Sequence, residues 1–233
     1  MKAIDDILHG LSQAIQLLFT GDPELWGIVA LSLRVTGTAL LISAVIGVPL
    51  GAAIGQARFP GKRIVTALLY TGMGVPPVVV GLLVYLVLSR SGPLGSLGWL
   101  FTPSAMIAAQ TLIALPLVIG LTMIAVMSID PDMRRQVTAL GATRVQTAWT
   151  ILMEARIGVT AAIVAAFGGI ISEVGAVMLV GGNIAGETRV LTTAIVLDTR
   201  QGEFSLAMAL GIILITLTFV VNVLLMRLQG KEK

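Results

Sequence analysis

Residues 26–54 read WGIVALSLRVTGTALLISAVIGVPLGAAI, and Arg34 is the one charged side chain among them. A helix that crosses the hydrocarbon core of a bilayer needs about 20 predominantly apolar residues. This stretch exceeds that length and reads as a membrane span. Four further segments pass the same test: Ile64–Leu88, Ser104–Met127, Gly158–Val180 and Phe204–Met226. The whole chain of 233 residues agrees, being 56% hydrophobic and only 12% charged, with a mean hydropathy of +0.98. Soluble domains carry about 25% charged residues. The excess apolar surface must therefore face membrane lipid. The expected class is an all-α membrane protein with five spanning helices.

Residues 1–20 are different. Ile4, Ile7, Leu8, Leu11, Ile15 and Leu18 fall at helical spacing, with Asp5, Asp6, His9, Ser12, Gln13 and Gln16 between them. That pattern is an amphipathic helix, ended by Gly21, lying on the membrane surface or against the protein's own flank. The expected organisation is this helix over 1–21, one membrane domain over 22–228 and a short tail over 229–233.

Basic residues orient the spans, because cytoplasmic loops carry the Lys/Arg excess. One set of connections and termini holds Arg58, Lys62, Arg63, Arg134, Arg135, Arg144, Arg156, Arg227, Lys231 and Lys233; the other holds only Lys2, Arg90, Arg189 and Arg200. The N-terminus is thus expected outside and the C-terminus in the cytoplasm. The net charge of +3 is spread as punctuation between apolar runs and forms no nucleic-acid patch.

The longest connection on the basic side is about 129–156. Asp130 can cap a helix with Pro131 at its first position. Gly141 can end that helix in the left-handed conformation. Thr143 and Gln146 have capping-box spacing for a second helix. The local signals predict helix, sharp turn, helix.

Within the second span, Gly72-Met-Gly74-Val-Pro76-Pro77 interrupts the apolar run. Prolines remove backbone donors, and broken helices survive in lipid only where protein or a water-filled path satisfies the freed groups. The break marks either a solute pathway or a packing kink. Pro49 and Pro116 read as simple kinks. In the fourth span, Glu173 is a carboxylate at membrane depth, which needs a partner. Counting 1.5 Å per residue along straight helices puts Glu173 and Arg34 within about 5 Å of the same depth. This predicts a structural Glu173–Arg34 ion pair, the alternative being Arg34 as an anion contact in a pore. The connection 181–200 on the other side carries Glu187, Arg189, Asp198 and Arg200, a mixed-charge surface that can dock a partner or simply be solvated.

Several chemistries are excluded. The chain has no cysteine and one histidine, His9, so thiolate sites are absent and a His-based metal site is not expected. No Gly-x-Ser-x-Gly elbow and no phosphate-binding Gly-x-x-x-x-Gly-Lys-Ser/Thr loop occurs, so no catalytic or nucleotide site is expected and no cofactor is bound by this chain.

The stretch Thr138-Ala139-Leu140-Gly141-Ala142-Thr143-Arg144 resembles the core of the Glu-Ala-Ala loop of ABC-importer permeases. Arg135 stands at that pattern's glutamate position and Met153-Glu154 at its Leu-Pro position. Glu173-Val-Gly-Ala and Asn183-Ile-Ala-Gly-Glu-Thr-Arg189 resemble the molybdate and tungstate branch, although Ser172 and Val174 replace its Gly and Phe. Met73-Gly-Val-Pro-Pro, Leu88-Ser-Arg-Ser-Gly-Pro-Leu-Gly and Thr192–Phe204 look most like its tungstate members. The likeness runs from about Leu31 to Asn222.

The resemblance implies a type I ABC importer transmembrane domain, working as a homodimer. Its implied partners are two copies of a cytoplasmic ABC ATPase, which uses ATP and Mg, and an external oxyanion-binding protein. It implies that Arg135, Thr138–Thr143 and Arg144 seat in the ATPase. Substrate would pass weak polar groups at Thr71, Gln110, Thr111, Ser172 and Glu173, near the Gly74, Pro76 and Pro77 break. Glu187, Arg189, Asp198 and Arg200 would meet the binding protein.

Overall fold

The computed structural model describes residues 22–228 together with Ser12 and Gln16. The expected N-terminal amphipathic helix and the tail at 229–233 lie outside the described residues. The rest is helical. The helices are α1 (Pro23–Gln56), α2 (Lys62–Gly74), α3 (Pro77–Leu88), α4 (Pro103–Met127), α5 (Pro131–Ala139), α6 (Arg144–Glu154), α7 (Arg156–Ile171), α8 (Gly175–Gly181), α9 (Leu191–Gln201) and α10 (Phe204–Leu228). A 3₁₀ turn at Gly95–Leu97 joins α3 to α4.

α1, α4 and α10 are each long and apolar enough to cross a membrane. Pro49 and Pro116 sit inside α1 and α4 without ending them. The second expected span is instead two helices, α2 and α3, bent by 95°. Val75 and Pro76 are extended, with ψ of 128° and 126°. The residue before a proline is pushed out of the helical region, and neither proline can donate. The fourth expected span is likewise split, into α7 and α8, by Ser172, Glu173 and Val174. No proline causes this break. The Ser172 hydroxyl donates to Gly168 O at 2.7 Å and closes α7. α6 meets α7 at Ala155 with a 65° bend.

α1 and α4 form the central pair. Gly47, Gly51 and Gly55 make a small-residue stripe on α1, which lets the backbones approach closely. A Cβ at Gly51 would stand 2.5 Å from Ile119 O, and one at Gly55 would stand 3.1 Å from Met123 O. Around this pair, Ala39, Ala114, Val118, Ala166 and Ile170 bury the middle of the bundle. Leu25, Val29, Leu191, Ala209 and Ile213 bury the Pro23 end of α1, while Ala52, Val126 and Ile151 bury its Gln56 end. Many large side chains stay outside, among them Leu41, Val45, Leu68, Leu83, Ile215 and Phe219. An exposed apolar belt of this size suits lipid or other membrane subunits, not water.

Candidate functional site

The two broken helices meet. α3 packs against α8 so closely that a Cβ on Gly81 would lie 2.5 Å from Ala176 Cα, and one on Gly175 would lie 2.6 Å from Val78 Cγ2. Gly81 and Gly175 therefore clasp the two helices at the points where their spans resume. α4 lines the other side, with a Cβ at Gly120 falling 2.5 Å from Met73 Sδ and one at Gly181 falling 3.0 Å from Met106 Sδ. The breaks at Gly74–Pro77 and Ser172–Val174 thus share one region, backed by α4.

The expected pathway residues divide within this region. Ser172 is exposed, Glu173 is half-buried, and Gly74 and Pro76 are exposed. Gln110 is buried and serves as a fastener: its Nε2 donates to Ile170 O at 2.9 Å, tying α4 to the last turn of α7. Thr111 is half-buried, with its hydroxyl oxygen shielded from solvent, and its C=O accepts from the Ser43 hydroxyl at 3.3 Å. Thr71 is exposed and donates to Ala67 O within its own helix.

The Glu173–Arg34 pair does not form. Glu173 Oε1 accepts from Ala176 N–H at 3.0 Å and so caps α8, while its C=O accepts from the Thr192 hydroxyl at 3.1 Å. The depth count assumes a straight helix, and the break at 172–174 supplies a free backbone N–H instead. The ion pairs among the described residues are Arg135–Asp132 at 2.8 Å and Arg189–Glu24 at 3.7 Å.

Arg34 belongs to a separate cleft of about 420 Å³ at the Pro23 end of α1, with Glu24, Glu187 and Arg189. Just before it, the Thr188 hydroxyl, fully buried, donates to Gly181 O at 2.6 Å and accepts from Ile184 N at 2.9 Å. This fixes the tight turn that presents Glu187 and Arg189. Asp198 sits near enough to feel Arg189, Glu203 and Glu24; burial pushes its carboxyl above the ordinary value of 3.8, and Arg189 opposes the shift. Arg200 is exposed at the end of α9 and joins no ion pair among the described residues. Sequence reasoning missed Glu24, which reaches Arg189 only through tertiary packing, and Glu203, which the turn after α9 folds back so that its N–H donates to Asp198 O at 2.9 Å.

At the other end of α1, the expected helix–turn–helix is present in detail. The Asp130 carboxylate accepts from Asp132 N–H at 2.9 Å, and Gly141 has φ of +86°. Thr143 N donates to Gln146 Oε1 at 2.8 Å, and Gln146 N donates to Thr143 Oγ1 at 3.3 Å, completing the capping box. α6 then presents two faces. Thr147 and Ile151 are buried against the bundle, whereas Val145, Trp149 and Met153 face outward. Leu140 at the turn is 88% exposed and Val145 79%. An apolar tip this exposed is an interaction surface. Val145 and Trp149 were legible as the i, i+4 partners opposite Thr147 and Ile151, and reading the stretch as a motif alone passes over them.

Known proteins place this geometry. Residues 47–231 match the family described as binding-protein-dependent transport system inner membrane component. The "Tungstate uptake system permease protein TupB" of Peptoclostridium acidaminophilum is 41% identical over 223 residues, covering 96% of this chain and 98% of that protein. A Haloferax volcanii protein named "Probable anion ABC transporter permease protein" is 46% identical over 209 residues, covering 88% and 90%. Among solved structures, a bacterial alginate ABC transporter complex contains a chain that superposes with a TM-score of 0.77 at 20% identity, over 100% of this chain and 90% of that one.

Proposed function

Because the chain belongs to the family of binding-protein-dependent transport system inner membrane components, we propose that it is the permease subunit of an ATP-driven oxyanion importer whose cargo is tungstate. The single observation that carries the coupled-transport reading is the rigidly capped helix–turn–helix Pro131–Glu154 with its exposed apolar tip, Leu140, Val145 and Trp149. With no phosphate-binding loop in its own sequence, the chain takes its energy from a partner. Two copies of a cytoplasmic ABC ATPase hold the tips of a homodimer. Arg135, Thr138, Ala139, Gly141, Ala142, Thr143 and Arg144 frame the seat. ATP and Mg bind to the ATPase, and its closure moves α5 and α6, which connect directly to α4 and α7. The Lys/Arg bias supports this end as cytoplasmic and the Arg34 cleft as external.

An external oxyanion-binding protein docks at the opposite end, on Glu187, Arg189, Asp198 and Arg200. Mixed charges there set register and partner choice. The anion then passes the paired breaks, where Ser172 and the backbone around Gly74–Pro77 offer polar contacts. Glu173 spends its carboxylate on Ala176 N–H and serves as a cap. A cargo must leave as readily as it enters, so weak neutral contacts suit the pathway better than a deep cationic site. Tungstate as cargo is supported by the 41% identity across nearly the whole length of a tungstate uptake permease.

Reconstitution with the ATPase and binding protein tests this function. ATP hydrolysis is compared with tungstate, molybdate, sulfate and phosphate loaded on the binding protein. Stimulation strongest with tungstate is expected; stimulation by an amino acid and by none of the oxyanions overturns the cargo assignment.

A further inference from the structure

A basic cavity of about 840 Å³ opens where α1 and α4 end, between them and the α5–α6 hairpin. Its size lies within the roughly 300–1,000 Å³ of small-molecule sites. Arg58, Lys62, Arg134, Arg135 and Arg144 line it, against one carboxylate, Asp130. Part of this charge has structural work. Lys62 Nζ donates to Gly55 O and Ala57 O, each at 2.9 Å, and Arg134 Nη1 donates to Gln56 O at 3.0 Å. These two side chains satisfy the last carbonyls of α1, which a helix end leaves orphaned. Arg135 pairs with Asp132, and the Asp130 carboxylate is taken up by Asp132 N–H. Arg58 and Arg144 have neither an ion pair nor a hydrogen bond among the described residues, and both are exposed side chains on the same cavity. Two guanidinium groups, with five donors each, are left facing one shared volume.

We propose that this cavity binds the phosphate headgroup of an anionic phospholipid, held by Arg58 and Arg144. Depth argues for a lipid. The cavity lies level with the last residues of two long apolar helices, Gln56 of α1 and Met127 of α4, which is where headgroups sit. An apolar side chain suited to acyl chains lines it, Met127, which is 57% exposed, and the exposed Phe59 and Ile64 follow Arg58 and Lys62 within two residues in the chain. Basic pockets between membrane helices on the cytoplasmic side are a recurrent means of holding anionic headgroups. The cavity shares Arg135, Thr138, Ala142 and Arg144 with the edge of the ATPase seat, while Thr147 and Ile151 line it from behind and Val145 and Trp149 face outward, so the headgroup lies at the inner edge of the seat and is held together with the ATPase. A headgroup there would brace the hairpin against α1. The cytoplasmic-leaflet placement rests on the Lys/Arg bias; the binding itself does not.

Native mass spectrometry of the detergent-purified complex with its ATPase tests the site, because detergent removes the charged membrane surface and leaves only specific retention. Phosphatidylglycerol is titrated against phosphatidylcholine. Wild type is expected to retain phosphatidylglycerol selectively. Arg58→Gln with Arg144→Gln is expected to weaken retention by about tenfold or more, the loss that goes with even one hydrogen bond to a charged group. Arg63→Gln with Arg227→Gln removes the same charge outside the cavity and should leave retention unchanged. Equal losses in the two double variants overturn the site. So does displacement of the lipid by millimolar inorganic phosphate, which would make it a free-anion site, or retention by the isolated chain that vanishes when the ATPase binds. Circular dichroism of each variant shows whether the fold is kept. Tungstate-stimulated hydrolysis without lipid retention defeats this site alone, and retention without stimulation defeats the transport function alone.

Discussion

Gly81→Ala tests the clasp between the two broken helices. The new Cβ would stand 2.5 Å from Ala176 Cα, 2.9 Å from Ala176 Cβ and 3.3 Å from Ala176 O. Non-bonded carbons rest at about 3.5–4.0 Å. The shortfall against Ala176 Cα is therefore about 1.0–1.5 Å, and the obstacle is backbone, so no side chain can swing aside. α3 and α8 must separate by a comparable amount, which loosens Val84, Val177 and Val180 in the core that they share. Overpacking of this kind costs about 1–3 kcal/mol. At about 2–4 °C per kcal/mol for a chain of this length, the melting temperature in detergent should fall by about 2–12 °C. Gly211→Ala is the control: it lies within α10, a methyl added there meets nothing within 4 Å, and its helix propensity gain is up to about 1 kcal/mol. Thermal melts of both variants decide the matter, followed by tungstate-stimulated hydrolysis in the reconstituted complex. A Gly81→Ala protein that melts and works like wild type would refute the close approach as a structural requirement.

Trp149→Ala and Leu140→Ala, on the exposed tip, should each weaken ATPase binding by about tenfold or more, as loss of an interface anchor does, with little change in melting temperature. A titration of the ATPase by light scattering or calorimetry reads this out. Thr188→Val keeps the shape but strands Gly181 O and Ile184 N without their partner, and should cost about 1–3 kcal/mol in chemical or thermal unfolding. Asp198 has a folded-state pKa raised above 3.8, so the folded state binds its proton more tightly than the unfolded chain does. Its contribution is therefore fully favourable below 3.8 and is lost as pH rises through the folded value. Asp198→Asn should gain stability near neutral pH, with the gain shrinking as pH falls toward 3.8 in a series of melts.

The readable parts of this fold are those fixed by local chemistry. Asp130, Pro131, Gly141, Thr143 and Gln146 act within a few residues of themselves, and each cap forms as their spacing implies. The Pro76-Pro77 break is equally local, although its 95° angle depends on what α3 packs against. The second break is hidden because Ser172 and Glu173 interrupt the helix through side-chain bonds to backbone, with no proline to announce them. A straight helix through that break is what makes a Glu173–Arg34 pair look available. The Gly47, Gly51 and Gly55 stripe was open to reading, since small residues four apart are a helix-packing signal. The Arg34, Glu24, Glu187 and Arg189 cleft was not, because it joins α1 to a turn more than 150 residues away.

The most direct test is uptake of tungsten into proteoliposomes holding the complete complex, with binding protein and tungstate outside and ATP within reach of the ATPase. Lumenal tungsten is counted by elemental mass spectrometry. ATP-dependent accumulation is expected in wild type and should be abolished by Gly141→Trp, which forces a bulky side chain into a left-handed turn at the hairpin tip. Accumulation that proceeds without ATP, or that survives Gly141→Trp undiminished, would contradict the coupled-permease function.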